Sequence, residues 1–284
     1  MKIKKVNQIK KVYRILAKFL QFAIARTISP LIRRLGINII PEFSKINFLS
    51  YEYSPNTRRL VFNTDKRKSF NKIFIDTSLS STNLCYLGKK FPTNKSSISI
   101  EGHRSGYTAV YTILFTQFFN KDITLAEIGI EKNNSIKMWR NYFKKAKIHA
   151  LEFDENKIRD AKKYKLKNTY YHKVDVHSEK SIVNSFKKIG CKFDIIIDDS
   201  THIFEDQIRI IKNSYKFLKK NGILIIEDIY KFRKEHSEEN YFNKLKNLKR
   251  YFRDIVFIEC NHINNFTASW KCEKILLLVR NNRN

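Results

Sequence analysis

From about residue 101 the apolar positions of this chain fall into two rhythms that take turns. Short, β-branched runs cover 124–129, 147–152, 169–174, 193–198, 222–227, 255–260 and 273–280. Between most of them, apolar residues recur at every third or fourth position, over 134–144, 155–164, 178–188, 204–219 and 235–252. Unbroken apolar runs of that length suit strands buried on both faces, and the intervening period suits amphipathic helices. Their alternation predicts an α/β fold with a doubly wound, mostly parallel sheet of seven strands. No helical pattern separates the last two runs, so the final strand is expected to be antiparallel, at or near an edge.

Residues 1–35 read differently, with Lys and Arg but no acid. Ile3, Val6, Ile9, Tyr13, Leu16, Leu20 and Ile24 recur at helical steps, which predicts a basic amphipathic helix ending near Ser29-Pro30. Such a helix suits an anionic lipid surface, its own domain or a second subunit, so peripheral membrane contact and a homo-oligomer both stand as expectations. Residues 36–100 show only short apolar stretches, chiefly Leu60-Val61-Phe62 and Ile73-Phe74-Ile75, among Ser, Asn, Thr and Lys. They are read as an uncharacterised appendage, either a small β-rich unit or loops draped over the core. The main domain is expected over 101–284.

Composition changes this picture little. Over 284 residues, 42% hydrophobic and 13% aromatic content is that of an ordinary globular protein. The net charge of +29 fits a polyanionic partner or lysines spread over solvated faces. Because the lysines are dispersed through nearly every segment, the second reading is preferred. No apolar run reaches the ~18–20 residues of a membrane span, and the N-terminus lacks a small-residue cleavage pattern. Cys85, Cys191, Cys260 and Cys272 share no metal-binding spacing. The expected location is the cytoplasm, with membrane association through residues 1–35 as the variant.

The chemistry gathers where strands end. The run at 193–198 closes as Asp198-Asp199-Ser200-Thr201-His202, and the run at 222–227 as Glu227-Asp228. In open α/β sheets ligands bind at that carboxyl edge, and two acid pairs with a histidine can build an oxygen-rich cation site beside a base. The first run closes as Glu127-Ile128-Gly129 and the second at Glu152. An acid about twenty residues after a strand–Gly turn is the arrangement that grips ribose hydroxyls. The competing structural reading is that such acids cap the next helix, as Asp199 with Glu205 would. His103, His149, His172, His177, His236 and His262 lack comparable context and are read as surface or packing residues.

Together these positions resemble a class I S-adenosylmethionine-dependent methyltransferase. The resemblance implies a Rossmann-like sheet in which Glu127 and Gly129 contact the methionine end of the cofactor. Glu152 would bind ribose, and Asp175, in Val174-Asp175-Val176-His177, would lie by the adenine. The chain departs from the pattern where Ile130-Glu131-Lys132-Asn133 replaces further glycines; Asn133 and Asn134 tolerate left-handed backbone best there. Asp-Asp-x-x-His and Glu-Asp are similar, more narrowly, to the metal-dependent sugar O-methyltransferases of macrolide biosynthesis, the mycinamicin and macrocin type. Gly102-His103-Arg104-Ser105-Gly106-Tyr107-Thr108-Ala109-Val110-Tyr111 resembles that group's Gly/Ser-Tyr-Thr-x-x-Tyr entry.

By that resemblance Asp199, Glu227 and Asp228 hold Mg²⁺ or Mn²⁺, and His202 takes the proton of an acceptor hydroxyl with Asp199 beside it. Asp198 faces the cofactor's amino-acid moiety, and the acceptor is a small molecule or glycan. Acceptor choice is expected from residues 36–100 and from Tyr230, Phe232 and Arg233. An RNA methyltransferase is the first alternative, prompted by charge, but Asp198-Asp199-Ser200-Thr201 is not the Asn/Asp-Pro-Pro-aromatic turn of base N-methylation, so nucleic acid is not the expected partner. A non-catalytic scaffold with a decayed cofactor loop is the second. A hydroxylase of the same scaffold would need an Fe(II) facial triad, for which one histidine is thin support.

Overall fold

Apolar runs that are buried on both sides must alternate between two cores, and they do. A computed structural model of the chain describes residues 70–77, 80–98, 105–261 and 273–282. In the strand Phe193–Asp198, Ile195 and Ile197 enter one core and Ile196 the other. In the strand Leu218–Ile226, Ile223 and Ile225 oppose Leu224 and Ile226 in the same way. Each such side chain contributes about 1.5–3 kcal/mol when fully buried.

The elements in chain order are β1 (Asn71–Asp76), α1 (Asn83–Lys90), α2 (Tyr107–Phe115), β2 (Thr124–Ile128), α3 (Asn134–Tyr142), β3 (Lys147–Glu152), α4 (Glu155–Lys162) and β4 (Thr169–Lys173). They continue with α5 (Glu179–Ile189), β5 (Phe193–Asp198), α6 (Phe204–Ser214), β6 (Leu218–Ile226), α7 (Glu238–Leu245), β7 (Phe252–Asn261) and β8 (Lys274–Arg280). Side-chain caps from Asp154, Ser178 and Ser237 start α4, α5 and α7, supplying acceptors to amides that have no helical partner. Among the described residues no helix is long and apolar enough to cross a membrane.

The sheet order is β1-β7-β8-β6-β5-β2-β3-β4. It is doubly wound and parallel except at β8, which runs antiparallel to both β6 and β7. Two details differ from expectation. The sheet has eight strands rather than seven, because Asn71–Asp76, within the stretch read as an appendage, pairs in parallel with β7. That pairing moves the edge outward, and β8 sits inside the sheet between β6 and β7. β1 is short and only half buried, so its apolar signal is weak. The helix expected over 1–35, residues 36–69, His103, His262 and Cys272 lie outside the described residues.

From β2 the chain proceeds outward to β3 and β4 on one side, then returns to β5 and β6 on the other. The winding therefore reverses between β2 and β5. At such a switch point the two following loops diverge and leave a crevice at the carboxyl ends of the strands.

Candidate active site

The β2 and β5 loops meet at Gly129, whose φ is +89°. A Cβ there would lie 2.2 Å from the carbonyl oxygen of Asp199, so any side chain would force the loops apart. The segment that follows has no glycine, yet it keeps left-handed backbone at Glu131 and Asn133. The Asn133 carboxamide exchanges hydrogen bonds with the Tyr171 hydroxyl at 3.0 and 3.2 Å. Asn134 instead begins α3.

At the end of β3, Glu152 accepts from the amides of Ile130, Phe153 and Asp154 at 3.1, 2.9 and 3.1 Å. It thereby ties the β2 loop to the β3 loop. A cavity of about 810 Å³ opens here, lined by Gly129, Glu152, Phe153, Lys95, Asp199 and His202, with Ile128, Leu151, Val174 and Val176 as apolar walls. Glu127 lies beneath, fully buried, accepting from Trp139 Nε1 at 2.8 Å. Burial raises its carboxyl to about 7, against the opposing pull of Lys95.

Two expected cofactor residues also make local hydrogen bonds. Asp175 accepts from the amide of His177 at 2.9 Å, while its neighbours Val174 and Val176 line the cavity. Asp198 is buried and accepts from Ser200 Oγ at 2.6 Å; burial pushes its carboxyl up to about 7. The exposed ring of Phe153 lines the cavity and was not singled out by the sequence, although it directly follows the β3 acid.

Asp199, His202 and Asp228 converge at the cavity wall. His202 Nε2 lies 3.3 Å from Asp199 Oδ1, and its Nδ1 lies 3.2 Å from Asp228 Oδ2. Burial works against protonation of this imidazole, but the two carboxylates outweigh it and raise it to about 9. His202 and Asp228 both have positive φ, at 57° and 54°, an unfavourable backbone for side-chain-bearing residues that concentrates at functional sites. The helix-cap reading of Asp199 is not what the structure holds: α6 starts after Ile203 with no side-chain cap, and Glu205 pairs with Lys244.

The remaining acid is joined to Asp199 through a lysine. Glu227 Oε1 accepts from the Tyr111 hydroxyl at 2.5 Å, and Oε2 lies 2.5 Å from Lys95 Nζ. Its burial raises the carboxyl well above the ordinary range, opposed by Lys95. The Tyr107 hydroxyl donates to Asp228 Oδ1 at 2.8 Å, so both tyrosines of the Tyr-Thr-x-x-Tyr segment support one acid each. Of the three acids expected to share a cation, Asp199 and Asp228 each place an oxygen within 4.8 Å of a His202 ring nitrogen and of each other, while Lys95 Nζ bridges Asp199 to Glu227, which also accepts from Tyr111. Lys95 carries no signal in Thr93-Asn94-Lys95-Ser96. Past Asp228, Arg233 stacks over the Tyr230 ring at 3.6 Å and Phe232 is exposed.

The methyltransferase-domain family matches residues 133–275 of the chain. A curated relative, the 8-demethyl-8-alpha-L-rhamnosyl tetracenomycin-C 2'-O-methyltransferase of Streptomyces olivaceus, is 25% identical over 130 residues, 43% of this chain and 33% of that protein. The demethylmacrocin O-methyltransferase of Streptomyces fradiae is 22% identical over 134 residues, 44% of this chain and 32% of that one. The match spans about a third of the length of these curated relatives. Among solved structures, the MycE methyltransferase from the mycinamycin biosynthetic pathway, in complex with Mg, SAH and mycinamycin VI, superposes with a TM-score of 0.55 at 16% identity, over 71% of this chain and 55% of that one. At that identity the likeness is one of fold.

Proposed function

This chain belongs to the methyltransferase-domain family, and from that premise we propose that it transfers the methyl group of S-adenosylmethionine to a sugar hydroxyl. One observation carries the reading. The imidazole of His202, held at both ring nitrogens by Asp199 and Asp228, stands in the wall of the same cavity as Gly129 and Glu152.

That cavity fits a nucleoside-bearing cofactor on its own chemistry. Ile128, Leu151, Val174 and Val176 give apolar walls, Phe153 offers a ring for stacking, and Glu152 stands at the strand end where ribose hydroxyls are gripped. S-adenosylmethionine, when bound, supplies an electrophilic methyl on a sulfonium. What the chain must add is alignment of the acceptor oxygen and a destination for its proton. His202 is that destination, and Asp199 and Asp228 fix its ring.

The divalent ion implied by the resemblance fits the donor set less well. Glu227 accepts on both oxygens, from Lys95 and Tyr111. An ion on Asp199 and Asp228 would take the carboxylate oxygens that hold His202 and would stand close to the Lys95 ammonium. The proposed reaction therefore proceeds through His202, with no step through a metal. The acceptor class rests on the Streptomyces olivaceus relative, named for 2'-O-methylation of a rhamnosyl tetracenomycin.

The test is transfer of labelled methyl from S-adenosylmethionine to a panel of rhamnosides. His202→Ala is expected to lower kcat by about 10²–10⁴ while cofactor affinity stays within about twofold. Full activity in that variant overturns the assignment of the base.

A further inference from the structure

Three carboxylates from three different strand ends converge on a single ammonium. Lys95 Nζ lies 2.5 Å from Asp199 Oδ2, 2.5 Å from Glu227 Oε2 and 3.7 Å from Glu127 Oε1. The lysine is 1% exposed. Glu127 Oε1 accepts no hydrogen bond and faces this ammonium. Burying so many carboxylates together is unfavourable without a counter-charge at their centre. Convergence of carboxylate oxygens from separate strands is also what a hard divalent cation requires. Here the central position is filled by the chain itself.

The lysine is held there by its backbone. Its carbonyl accepts from the Thr108 amide at 3.0 Å, at the start of α2, and its amide donates to Thr93 Oγ1 at 3.4 Å. Next to it, Ser96 Oγ donates to the Cys85 carbonyl at 2.8 Å, and Ser96 packs so close to Gly88 that a Cβ there would come within 2.8 Å. The 93–96 turn is thus tied to both α1 and α2, and its register delivers the ammonium to the acids. An ammonium has three protons to share and no exchangeable ligand sphere, so it neutralises the cluster without offering a site for an acceptor hydroxyl.

We propose that Lys95 is a resident cation that takes the place of a divalent metal ion in this carboxylate cluster, so that the site assembles without one. Lys95 is a positioning residue: it fixes Asp199, and through Asp199 the His202 ring. The inference rests on the methyl-transfer reading only for the purpose of the cluster; cation binding reads it without cofactor or acceptor.

The experiment is titration of the purified full chain with Mn²⁺, followed by the paramagnetic signal of the free ion, in wild type and in Lys95→Met. The wild type is expected to bind Mn²⁺ no tighter than about 1 mM, in the weak range for protein ligands. The variant loses the ammonium and frees oxygens of Asp199 and Glu227, so its affinity is expected to rise by about tenfold or more. Micromolar binding by the wild type, or an unchanged or weaker affinity in a folded variant, overturns the proposal. Should Lys95→Met fail to fold, the wild-type melting temperature decides: the proposal requires it to be the same in EDTA and in Mn²⁺, and a rise that saturates at micromolar Mn²⁺ contradicts it. A failure of methyl transfer with these outcomes intact would count against the proposed function alone.

Discussion

His202 owes its chemistry to two neighbours on different strands. With Asp199 and Asp228 holding it at about 9, the ring is cationic at neutral pH and cannot accept a proton until it loses one. Transfer is therefore expected to quicken with rising pH and level off above about 9. Asp228→Asn removes a charge that favours the imidazolium, so the rising limb should move to lower pH; a limb that stays in place would mean another group is the base. Asp199 and Asp228 were legible because each lies just past an apolar run, where the strand-end rule applies, and His202 because it stands three positions beyond Asp199. Lys95 was not, since 104 positions separate it from Asp199 and nothing local marks a lysine as buried. The cofactor roles of Asp175 and Asp198 were read through a resemblance, and each carboxylate accepts a local hydrogen bond, from His177 and Ser200.

The elements follow from the apolar pattern almost wherever both faces of a strand are buried, because such runs admit few other structures. Strands β2 to β8 fall within a few residues of their expected positions, whereas β1, an edge strand with a mixed burial pattern, carried too little apolar signal to be placed. The pattern over 235–252 resolves into α7 flanked by tighter 3₁₀ turns. Between elements, the decisive joint is the contact of the β2 and β5 loops. Gly129→Ala places a methyl group on the Asp199 carbonyl in a left-handed backbone, and is expected to cost on the order of 3 kcal/mol of stability and to weaken cofactor binding. Urea unfolding with a parallel cofactor titration checks both; a protein of unchanged stability would show that the loops separate freely.

The described residues form one doubly wound sheet, and a histidine pair on β3 and β4 is expected to give its stability an acid limb. His149 and His172 stack and share a hydrogen bond of 3.0 Å. Burial, with His172 and Lys147 adding to it, holds His149 down to about 4, and burial also lowers His172. Unfolded, both imidazoles titrate near 6.5, so over the interval down to about 4 the unfolded chain binds more protons. Stability should be complete above about 6.5 and decline as pH falls towards 4, and His149→Gln should flatten that decline in thermal melts; an identical slope would place the acid sensitivity elsewhere. At this scale the net charge of +29 said little about function, whereas the winding order pointed to the candidate site. The carboxyl edge of the sheet is expected to bind S-adenosylmethionine although most glycines of the cofactor loop are replaced. Calorimetric titration of wild type and Glu152→Ala with S-adenosylmethionine tests it most directly. Micromolar binding by the wild type, weakened by about tenfold in the variant, is the predicted result; a folded wild type that takes up no cofactor would contradict the account and leave the sheet as a non-catalytic scaffold.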